Sequence, residues 1–458
     1  MPAVIDGSAA GEPTAAPSVV DVGRLLDAGR ASVYQRWLVA LTALTIVFDG
    51  IDNQLMGVAI PTLMREWAVP RGAFAPVVSL GYLGMMAGGA IAGLAGDRYG
   101  RRSALLGSLF VFGVMTMAVA AADGVAALGV LRFLAGVGLG GAIPNAAALS
   151  GEYVPLRHRP LAVTLTIVCV PLGATLAGLA AIPALPAIGW RGLFFLGGAL
   201  PFAAALVLPW ILPESPRFLA RLPHRRTELV ATLRRMRIAV SDDATFVDPA
   251  PAAAARAPVV ALFTPERRGD TIALWVAFFS CLLAVYLGFS WIPSMLTAAG
   301  FPSSMASTGI AAFNLGGVAG ALAGGVCITR WGSRMSMLSL AGLAVASAAA
   351  MSLMPLVATA PVGPLVAMLA ITGALINGVQ TTMYALAVHV YPAAIRATGT
   401  GSAASFGRIG AVISGYVGAW ALEYRGSHSF FAVIAIAMLV CCAALAAIRR
   451  HVPGRGDA

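Results

Sequence analysis

Long apolar tracts separated by short charged clusters dominate the chain. Tracts without Asp, Glu or Arg include residues 72–96, 103–122, 160–190, 271–329 and 335–395. A helix that spans the hydrocarbon core of a bilayer needs about 20 apolar residues, so the longer tracts must each hold two spans. Because lipid offers the backbone no hydrogen-bond partner, these tracts are predicted to be helices.

The pattern predicts an all-α membrane protein of twelve transmembrane helices in two six-helix halves. The predicted spans are 35–60, 73–96, 103–122, 125–150, 160–182, 191–213, 270–292, 304–328, 335–354, 361–388, 397–422 and 427–448. The predicted units are an N-terminal tail (1–34), the N-terminal half (35–213), a linker (214–269), the C-terminal half (270–448) and a C-terminal tail (449–458).

Composition supports a membrane protein and excludes several other classes. Hydrophobic residues make up 59% of the chain and charged residues 11%, against about 25% charged in soluble domains. All basic residues are Arg, which removes the phosphate-loop lysine of ATP-driven pumps and Schiff-base chemistry. The five cysteines show no metal-ligand spacing, so neither a metal nor a cofactor is expected.

The distribution of arginine predicts the orientation in the membrane. The net charge of +11 could suit nucleic acid, but the arginines cluster between apolar tracts, and no nucleic-acid partner is expected. Outside the linker, fourteen arginines lie on the side of the two termini and four on the other: Arg65, Arg71, Arg191 and Arg425. The positive-inside rule then places both termini and the linker in the cytoplasm.

The tails and the linker are the hydrophilic parts of the chain. The first thirty residues are Pro/Ala-rich and partly acidic, which predicts a disordered tail. The linker is predicted to be a solvated connector, with an amphipathic helix on the membrane surface within Arg221–Arg237. The Pro/Ala run near 249–258 is predicted to be flexible.

The two halves repeat a loop motif. Residues 93–102 read Gly-Leu-Ala-Gly-Asp-Arg-Tyr-Gly-Arg-Arg, and residues 325–334 read Gly-Val-Cys-Ile-Thr-Arg-Trp-Gly-Ser-Arg, an offset of 232. Duplicated halves around a midplane site are the architecture of many secondary carriers. The first copy is predicted to act as a gate, with glycines that permit close approach and charges that hold it: Gly93, Asp97, Arg98, Gly100, Arg101 and Arg102.

The sequence resembles the major facilitator superfamily over essentially its whole length, and the 93–102 loop is the most specific mark. Three further stretches are similar to the aromatic acid:proton symporter family: Asp-Gly-Ile-Asp at 49–52, the Gly-rich run from Arg132 to Glu152, and Tyr-Pro-Ala-Ala-Ile-Arg at 391–396 leading to Gly-Arg-Ile-Gly at 407–410. The resemblance implies a major facilitator fold and a proton-coupled importer of small aromatic carboxylates in a bacterial inner membrane. Thr329 departs from the acid often kept in the second loop, which weakens the expectation of a symmetric gate charge.

Asp49 and Asp52 are the candidate proton-coupling residues. They are three residues apart and therefore share one helical face. An Asp at the centre of a spanning helix costs roughly 2.5–3.5 kcal/mol on the translocon scale, so the pair must face protein or water. All five histidines lie in loops, tails or helix ends and do not compete for this role. A polar packing pair is the alternative, and the sequence leaves open which aspartate carries the proton.

Arg132 and Arg408 are the two arginines inside apolar spans. A buried guanidinium needs a carboxylate, and Asp49, Asp52 and Glu152 are the nearby candidates. At least one arginine is predicted to bind the substrate or take part in proton coupling. The residues of a possible pocket for a flat organic anion are Phe48, Tyr286, Asn314, Gln380 and Tyr384.

Several functions remain open at this level. A sugar or other organic-ion porter is suggested by Pro-Glu-Ser-Pro-Arg at 213–217, although the seventh span offers aromatic residues and no Gln. A drug exporter is also possible, since these motifs do not fix the direction of transport. A membrane sensor or enzyme is the remote alternative, because the spans contain no catalytic constellation. The expected partners are an organic anion, protons and the bilayer, with the carrier acting as a monomer.

Overall fold

Helices account for almost all of the chain. A computed structural model describes residues 19–453 except 239, 241–243, 249–258, 355, 357–360, 393 and 394. The predicted disorder of residues 1–18, the flexible run at 249–258 and the tail at 454–458 lie outside the described residues. In chain order the α-helices are α1 (Val22–Ala28), α2 (Val33–Glu66), α3 (Ala75–Tyr99), α4 (Arg101–Val119), α5 (Val125–Tyr153), α6 (Arg159–Ile211), α7 (Pro216–Leu219), α8 (Arg226–Arg235), α9 (Arg268–Ala298), α10 (Ser303–Leu353), α11 (Val362–Val390), α12 (Arg396–Arg425) and α13 (Ser427–Ala447).

Within the described ranges, nine helices are long and apolar enough to cross a membrane. Two of them, α6 and α10, contain a glycine with non-helical backbone angles, Gly189 and Gly332. Counting each as two segments and adding α12, which carries Arg408, gives twelve segments (9 + 2 + 1). The count of twelve crossings itself stays a prediction, because length and composition alone identify nine.

The long helices form two bundles, which we call the N half (α2–α6) and the C half (α9–α13). In the N half α3 packs on α5 and α2 on α6, and in the C half α10 packs on α11 and α12 on α9. The segment between α6 and α9 joins the halves at one end of the molecule, which we call the linker end. We call the opposite end the distal end. There, the Arg191 guanidinium donates to the Glu66 carboxylate at 2.5 Å.

The sequence repeat is also a repeat of packing. A Cβ atom built on Gly88 of α3 would lie 1.9 Å from the Val137 carbonyl oxygen of α5. At the offset of 232, a Cβ on Gly320 of α10 would lie 1.8 Å from the Ala374 carbonyl oxygen of α11. Only glycine lets the two backbones approach this closely. The same helix crossing therefore recurs in both halves, which agrees with the predicted duplication.

The N-terminal tail differs from the prediction beyond residue 18. Residues Val19–Asp21 form a strand, β1, that pairs in parallel with β2 (Thr245–Val247) of the linker. Val22 and Leu26 of α1 are buried. The Asp27 carboxylate accepts hydrogen bonds from Arg159 at 3.0 Å and from Arg217 at 3.1 Å. The prediction of disorder is wrong for this segment, since its apolar residues and its acid find partners on the N half and the linker.

The linker helix α8 packs on protein. Leu229, Leu233 and Met236 are buried, whereas Arg234 and Arg235 are exposed. The amphipathic pattern within Arg221–Arg237 was therefore a correct indication of a helix. Its apolar side is covered by the protein itself, so the placement of this helix on the membrane surface stays a prediction.

The two halves are joined at the distal end. Five hydrogen bonds between the halves join α2, α3 and the turn before α3 on one side to α9, α10 and α12 on the other. They are Gln54 to the Phe289 carbonyl (3.4 Å), Asn314 to Gln54 (2.9 Å), Tyr82 with Ser290 (2.7 Å), Ser79 to the Val412 carbonyl (2.6 Å) and the Gly72 N–H to Glu423 (3.0 Å). The described conformation is therefore closed at the distal end.

Candidate transport site

Asp49 and Asp52 lie near the middle of α2 and are both 0% exposed. Their carboxylates have different partners. One Asp52 oxygen accepts from the Thr116 hydroxyl at 2.7 Å and the other from the Arg132 guanidinium at 2.9 Å. Neither Asp49 oxygen accepts a hydrogen bond from the protein. The structure thus distinguishes the surroundings of two aspartates that the sequence could only treat as a pair.

Arg132 and Asp52 form a buried ion pair within the N half. Arg132 is 8% exposed, and its helix, α5, crosses α2 at this level. Each charge compensates the other, as a buried guanidinium and a buried carboxylate require. The prediction of a carboxylate partner for Arg132 is confirmed by this contact, and Asp52 is that partner.

Arg408 of α12 lies at the boundary between the halves. A Cβ atom built on Gly89 of α3 would lie 2.6 Å from an Arg408 guanidinium nitrogen, so Arg408 extends against the N half. No carboxylate among the described residues lies within ion-pair distance of it. Asp49, Tyr286 and Tyr384 are its electrostatic neighbours. Arg408 is therefore a cation in the apolar bundle that is available to an external anion.

Aromatic rings surround this region. The rings of Tyr82 and Tyr286 meet edge to face with centroids 4.5 Å apart, and Phe289 packs on Tyr286 at 5.8 Å. Tyr384 packs edge to face on Phe278 at 5.1 Å. Such arrangements complement the quadrupoles of the rings and would also accept a flat aromatic ligand. Tyr286 and Tyr384 lie near Arg408, and their role in a substrate pocket stays a prediction.

The other three predicted pocket residues have separate surroundings. Asn314 is buried and donates to Gln54 across the boundary between the halves. Phe48 is partly buried against the hydrophobic core. Gln380 is partly buried on α11. Asn314 thus contributes to the distal closure in this conformation, and a pocket role for Phe48 and Gln380 stays a prediction.

Glu152 does not partner either intramembrane arginine. It accepts a hydrogen bond from the Ser215 hydroxyl and lies 4.0 Å from the Arg101 guanidinium at the linker end. Glu152 and Arg132 are twenty residues apart on one helix, hence about 30 Å apart along its axis. The expectation that Glu152 compensates Arg132 is wrong for this reason, and within the described residues Glu152 forms its ion pair with Arg101 and not with Arg408.

The gate loop is held by the N half. Asp97 is bonded to Arg101, and Arg102 donates its guanidinium to the Pro209 carbonyl. Arg98 is exposed and lies over the Tyr99 ring. Gly100 has a φ of 102°, and a Cβ on it would lie 2.1 Å from a Glu214 carboxylate oxygen. Gly93 differs from expectation, because a Cβ there would meet nothing within 4 Å. Of the two predicted gate glycines, Gly100 is the one that close approach requires.

Glu214 is a residue of the gate that the sequence did not single out for this role. Its carboxylate accepts the backbone N–H of Arg102 at 3.0 Å and that of Ser215 at 2.9 Å. Burial raises the pKa of Glu214, and the backbone hydrogen bonds oppose that rise. An acid at the start of α4 complements the helix dipole. The signal was present in Pro-Glu-Ser-Pro-Arg at 213–217, which the sequence alone suggested only as a porter motif.

Four further residues were missed because their roles depend on tertiary contacts. They are Gln54, Tyr82, Thr116 and Ser290, which bond to Asp52 or between the halves. A buried Gln five residues after Asp49 in a spanning helix was a usable signal for Gln54, since such polar groups rarely face lipid. Nothing in the sequence indicated that Tyr82 and Ser290 would meet.

Known proteins share both the sequence and the fold. The profile of the Major Facilitator Superfamily matches residues 42–363. The gallate transporter of Pseudomonas putida is 34% identical over 402 residues, 87% of this chain and 88% of that protein. The 4-hydroxybenzoate transporter PcaK of the same organism is 35% identical over 405 residues, 87% and 89% of the two chains. A crystal structure of a D-xylose-proton symporter covers 90% of this chain and 97% of its own, with a TM-score of 0.67 at 15% identity.

These similarities confirm the predicted fold and the predicted class of protein. The matching family and relatives are transporters, in agreement with the expectation that the chain is not an enzyme. The likeness to the xylose symporter is a likeness of fold. The chain belongs to the Major Facilitator Superfamily and is a membrane transporter similar to bacterial carriers of aromatic acids.

Proposed function

We propose that the protein is a proton-coupled symporter that imports small aromatic carboxylates. The observation that carries the proposal is a buried Asp49 without a hydrogen-bond partner, together with Arg408 nearby and without an ion pair in the described part of the chain. The two groups provide one site for a proton and one for an anion. The relatives named as gallate and 4-hydroxybenzoate transporters support the substrate class.

Arg408 is the proposed binding group for the substrate carboxylate. Charge-assisted hydrogen bonds between a guanidinium and a carboxylate are strong and can be bidentate. Tyr286 and Tyr384 lie beside Arg408 and offer ring faces and edges to an aromatic substrate. Arg132 is less suited to this role, because the Asp52 carboxylate already compensates its charge.

Asp49 is the proposed proton carrier. An ionised carboxylate is costly in a buried site without partners, and a neighbouring cation reduces that cost. In the empty carrier Arg408 supports the Asp49 anion. When a substrate carboxylate binds Arg408, that support is lost and Asp49 takes up a proton. The loaded site then has nearly balanced charge, which favours the crossing of proton and substrate together.

The proton gradient supplies the driving force. Each pH unit across the membrane is worth about 1.36 kcal/mol, or tenfold accumulation for one proton. Arg132 and Thr116 already bond the Asp52 carboxylate, which leaves Asp49 as the one proposed proton site in this region. One substrate and one proton per cycle is the simplest stoichiometry that these groups support.

Radiolabelled uptake into proteoliposomes tests this function. We expect benzoate and 4-hydroxybenzoate to accumulate under an inward proton gradient, with weak competition by benzamide and no uptake of glucose. Replacement Arg408→Lys keeps the charge but loses the fork geometry, and should weaken carboxylate binding by roughly 10- to 100-fold. Arg425→Lys, at an exposed position on the same helix, is the matched control. Glucose uptake without benzoate uptake would favour a sugar porter, and equal competition by benzamide would refute carboxylate recognition.

The orientation and the oligomeric state belong to the same proposal. We place the linker and both termini in the cytoplasm of a bacterial cell, and we take the monomer as the working unit, with the bilayer as its solvent. A membrane-impermeant thiol reagent should label Val240→Cys, in a background without the native cysteines, only from the cytoplasmic side. Labelling of this cysteine from outside intact cells would show that the linker faces the exterior and would contradict the proposed orientation.

A further inference from the structure

Gln54 and Asn314 form a buried amide pair between the halves. Gln54 lies on α2 and Asn314 on α10, and both are 0% exposed. The Gln54 side-chain nitrogen donates to the Phe289 carbonyl at 3.4 Å, and the Asn314 side-chain nitrogen donates to the Gln54 side-chain oxygen at 2.9 Å. The Asn314 side-chain oxygen has no partner.

The orientation of both amides follows from the Phe289 carbonyl. A carbonyl only accepts, so Gln54 must turn its NH₂ group toward Phe289. The Gln54 side-chain oxygen then faces Asn314, which must donate a hydrogen bond from its own NH₂ group. The chain of donors and acceptors ends at the Asn314 oxygen, because no described donor reaches it. A rotation of either amide by 180° would set two acceptors against each other.

The amide pair lies at a defined height above Arg408. Gly89, which Arg408 contacts, and Tyr82, which bonds Ser290, are seven residues apart on α3, or about 10 Å along the axis. Ser290 directly follows Phe289, the partner of Gln54. Measured along α3, the level of the Arg408 contact and the level of the Tyr82–Ser290 bond beside the amide pair are therefore about 10 Å apart. A benzene ring with a carboxylate at one end and a hydroxyl at the other, hydrogen-bonded at both ends, spans a comparable length.

Aromatic rings lie between these two levels. Tyr286 stands between Tyr82 and Phe289, and Phe289 meets Phe313, the neighbour of Asn314, at 6.2 Å. Aromatic walls suit a ring that runs from Arg408 toward the distal end. A ring hydroxyl at that end would donate to the one acceptor that the protein leaves unused.

We propose that Asn314, held by Gln54, is the hydroxyl-recognition group of the site and selects ring-hydroxylated aromatic carboxylates over benzoate. The inference rests on the proposed function, since it places the carboxylate on Arg408. A site built to bond a hydroxyl disfavours the analogue that lacks it, because a buried polar group then stays unpaired. The substrate class is accordingly narrower than aromatic acids in general.

Binding to the purified carrier, measured by calorimetry with benzoate and with 4-hydroxybenzoate, tests the assignment. We expect the wild type to bind 4-hydroxybenzoate roughly 2- to 10-fold more tightly, the range of one buried hydrogen bond. Asn314→Leu should bring the ratio of the two dissociation constants to about one. Gln54→Leu should reduce the ratio as well, since it removes the group that orients Asn314. Ser347→Ala, which removes a buried hydrogen bond to Thr372 in the same half, is the control and should keep the wild-type ratio.

The ratio separates recognition from folding and from closure. Loss of the Gln54–Asn314 bond also weakens the distal closure, but that change affects both ligands equally and cancels in the ratio. Benzoate binding by each variant shows in the same experiment that it is folded. An unchanged ratio in Asn314→Leu, or no preference in the wild type, overturns the hydroxyl assignment and leaves the proposed function standing. Failure of the wild type to bind either acid overturns both.

Discussion

Asp49 and Asp52 stand one helical turn apart on α2, and the Asp52 carboxylate is bonded to Arg132 and Thr116 whereas the Asp49 carboxylate has no hydrogen-bond partner. Both carboxylates are equally buried, so burial does not distinguish them. The difference lies in the helices that face them. Asp52 faces α4 and α5 of its own half, which move with it. The charged neighbours of Asp49 are Asp52 on its own helix and Arg408 of the other half, and the relationship with Arg408 can change when the halves move.

Removal of the Asp52 carboxylate should lower stability. Asp52→Asn leaves the Arg132 guanidinium buried without a counter-charge, a change that costs about 3–5 kcal/mol. The double variant Asp52→Asn, Arg132→Leu should recover part of this loss, because no charge is then left uncompensated. Chemical unfolding of the purified carrier in detergent measures both. Asp123→Asn, at an exposed position between α4 and α5, is the control. Equal stability of the Asp52 variant and the wild type would show that the ion pair contributes nothing.

The gate loop should tolerate a methyl group at one glycine and reject it at the other. Gly100→Ala places a side chain at a φ of 102° and against Glu214, which should cost about 1–3 kcal/mol from the backbone alone. Gly93→Ala meets open space and should be neutral or slightly stabilising, by up to about 1 kcal/mol from helix propensity. Thermal unfolding of the two variants side by side decides the point. A larger loss at position 93 would contradict the geometry.

Asp97 should influence the transport rate more than affinity. It is bonded to Arg101, which also lies near Glu152, so it belongs to the charged cluster at the linker end and not to the substrate site. Asp97→Asn weakens this cluster and should lower turnover of 4-hydroxybenzoate severalfold with a smaller change in its dissociation constant. Initial rates of uptake give the turnover and equilibrium binding gives the dissociation constant, and both are measured on one preparation. A collapse of binding with turnover preserved would place Asp97 in the ligand site.

The fold could be predicted from the sequence because lipid imposes strong rules. Long apolar tracts must be helical in lipid, because no water is present to bond the backbone. The offset of 232 residues relates Gly88 and Gly320, which lie at helix crossings of the same geometry. The N-terminal segment 19–28 could not be predicted, since its burial depends on Arg159 and Arg217, which come much later in the chain. Composition alone therefore indicated disorder there.

The site was predicted in its residue types but not in its pairings. The two aspartates and the two arginines were recognised because charges inside spans are costly. Which acid meets which arginine depends on helix rotation and on the crossing of α2 and α5, and these are properties of packing. Glu152 could have been excluded as the counter-charge of Arg132 from helix length alone, because twenty residues of α5 separate the two. Gln54 and Asn314 met across the halves, a contact that no local pattern encodes.

The most direct test of the account is uphill uptake by Asp49→Asn and Asp52→Asn proteoliposomes. Under an inward proton gradient, Asp49→Asn should fail to concentrate 4-hydroxybenzoate, because an amide takes up no proton when the substrate occupies Arg408. Exchange of labelled for unlabelled substrate at equal pH should persist in the same variant. Asp52→Asn, where it folds, should keep its dependence on the gradient at a reduced rate. If Asp49→Asn still concentrates the substrate with the pH dependence of the wild type, the proton travels through another group and the proposed mechanism is wrong.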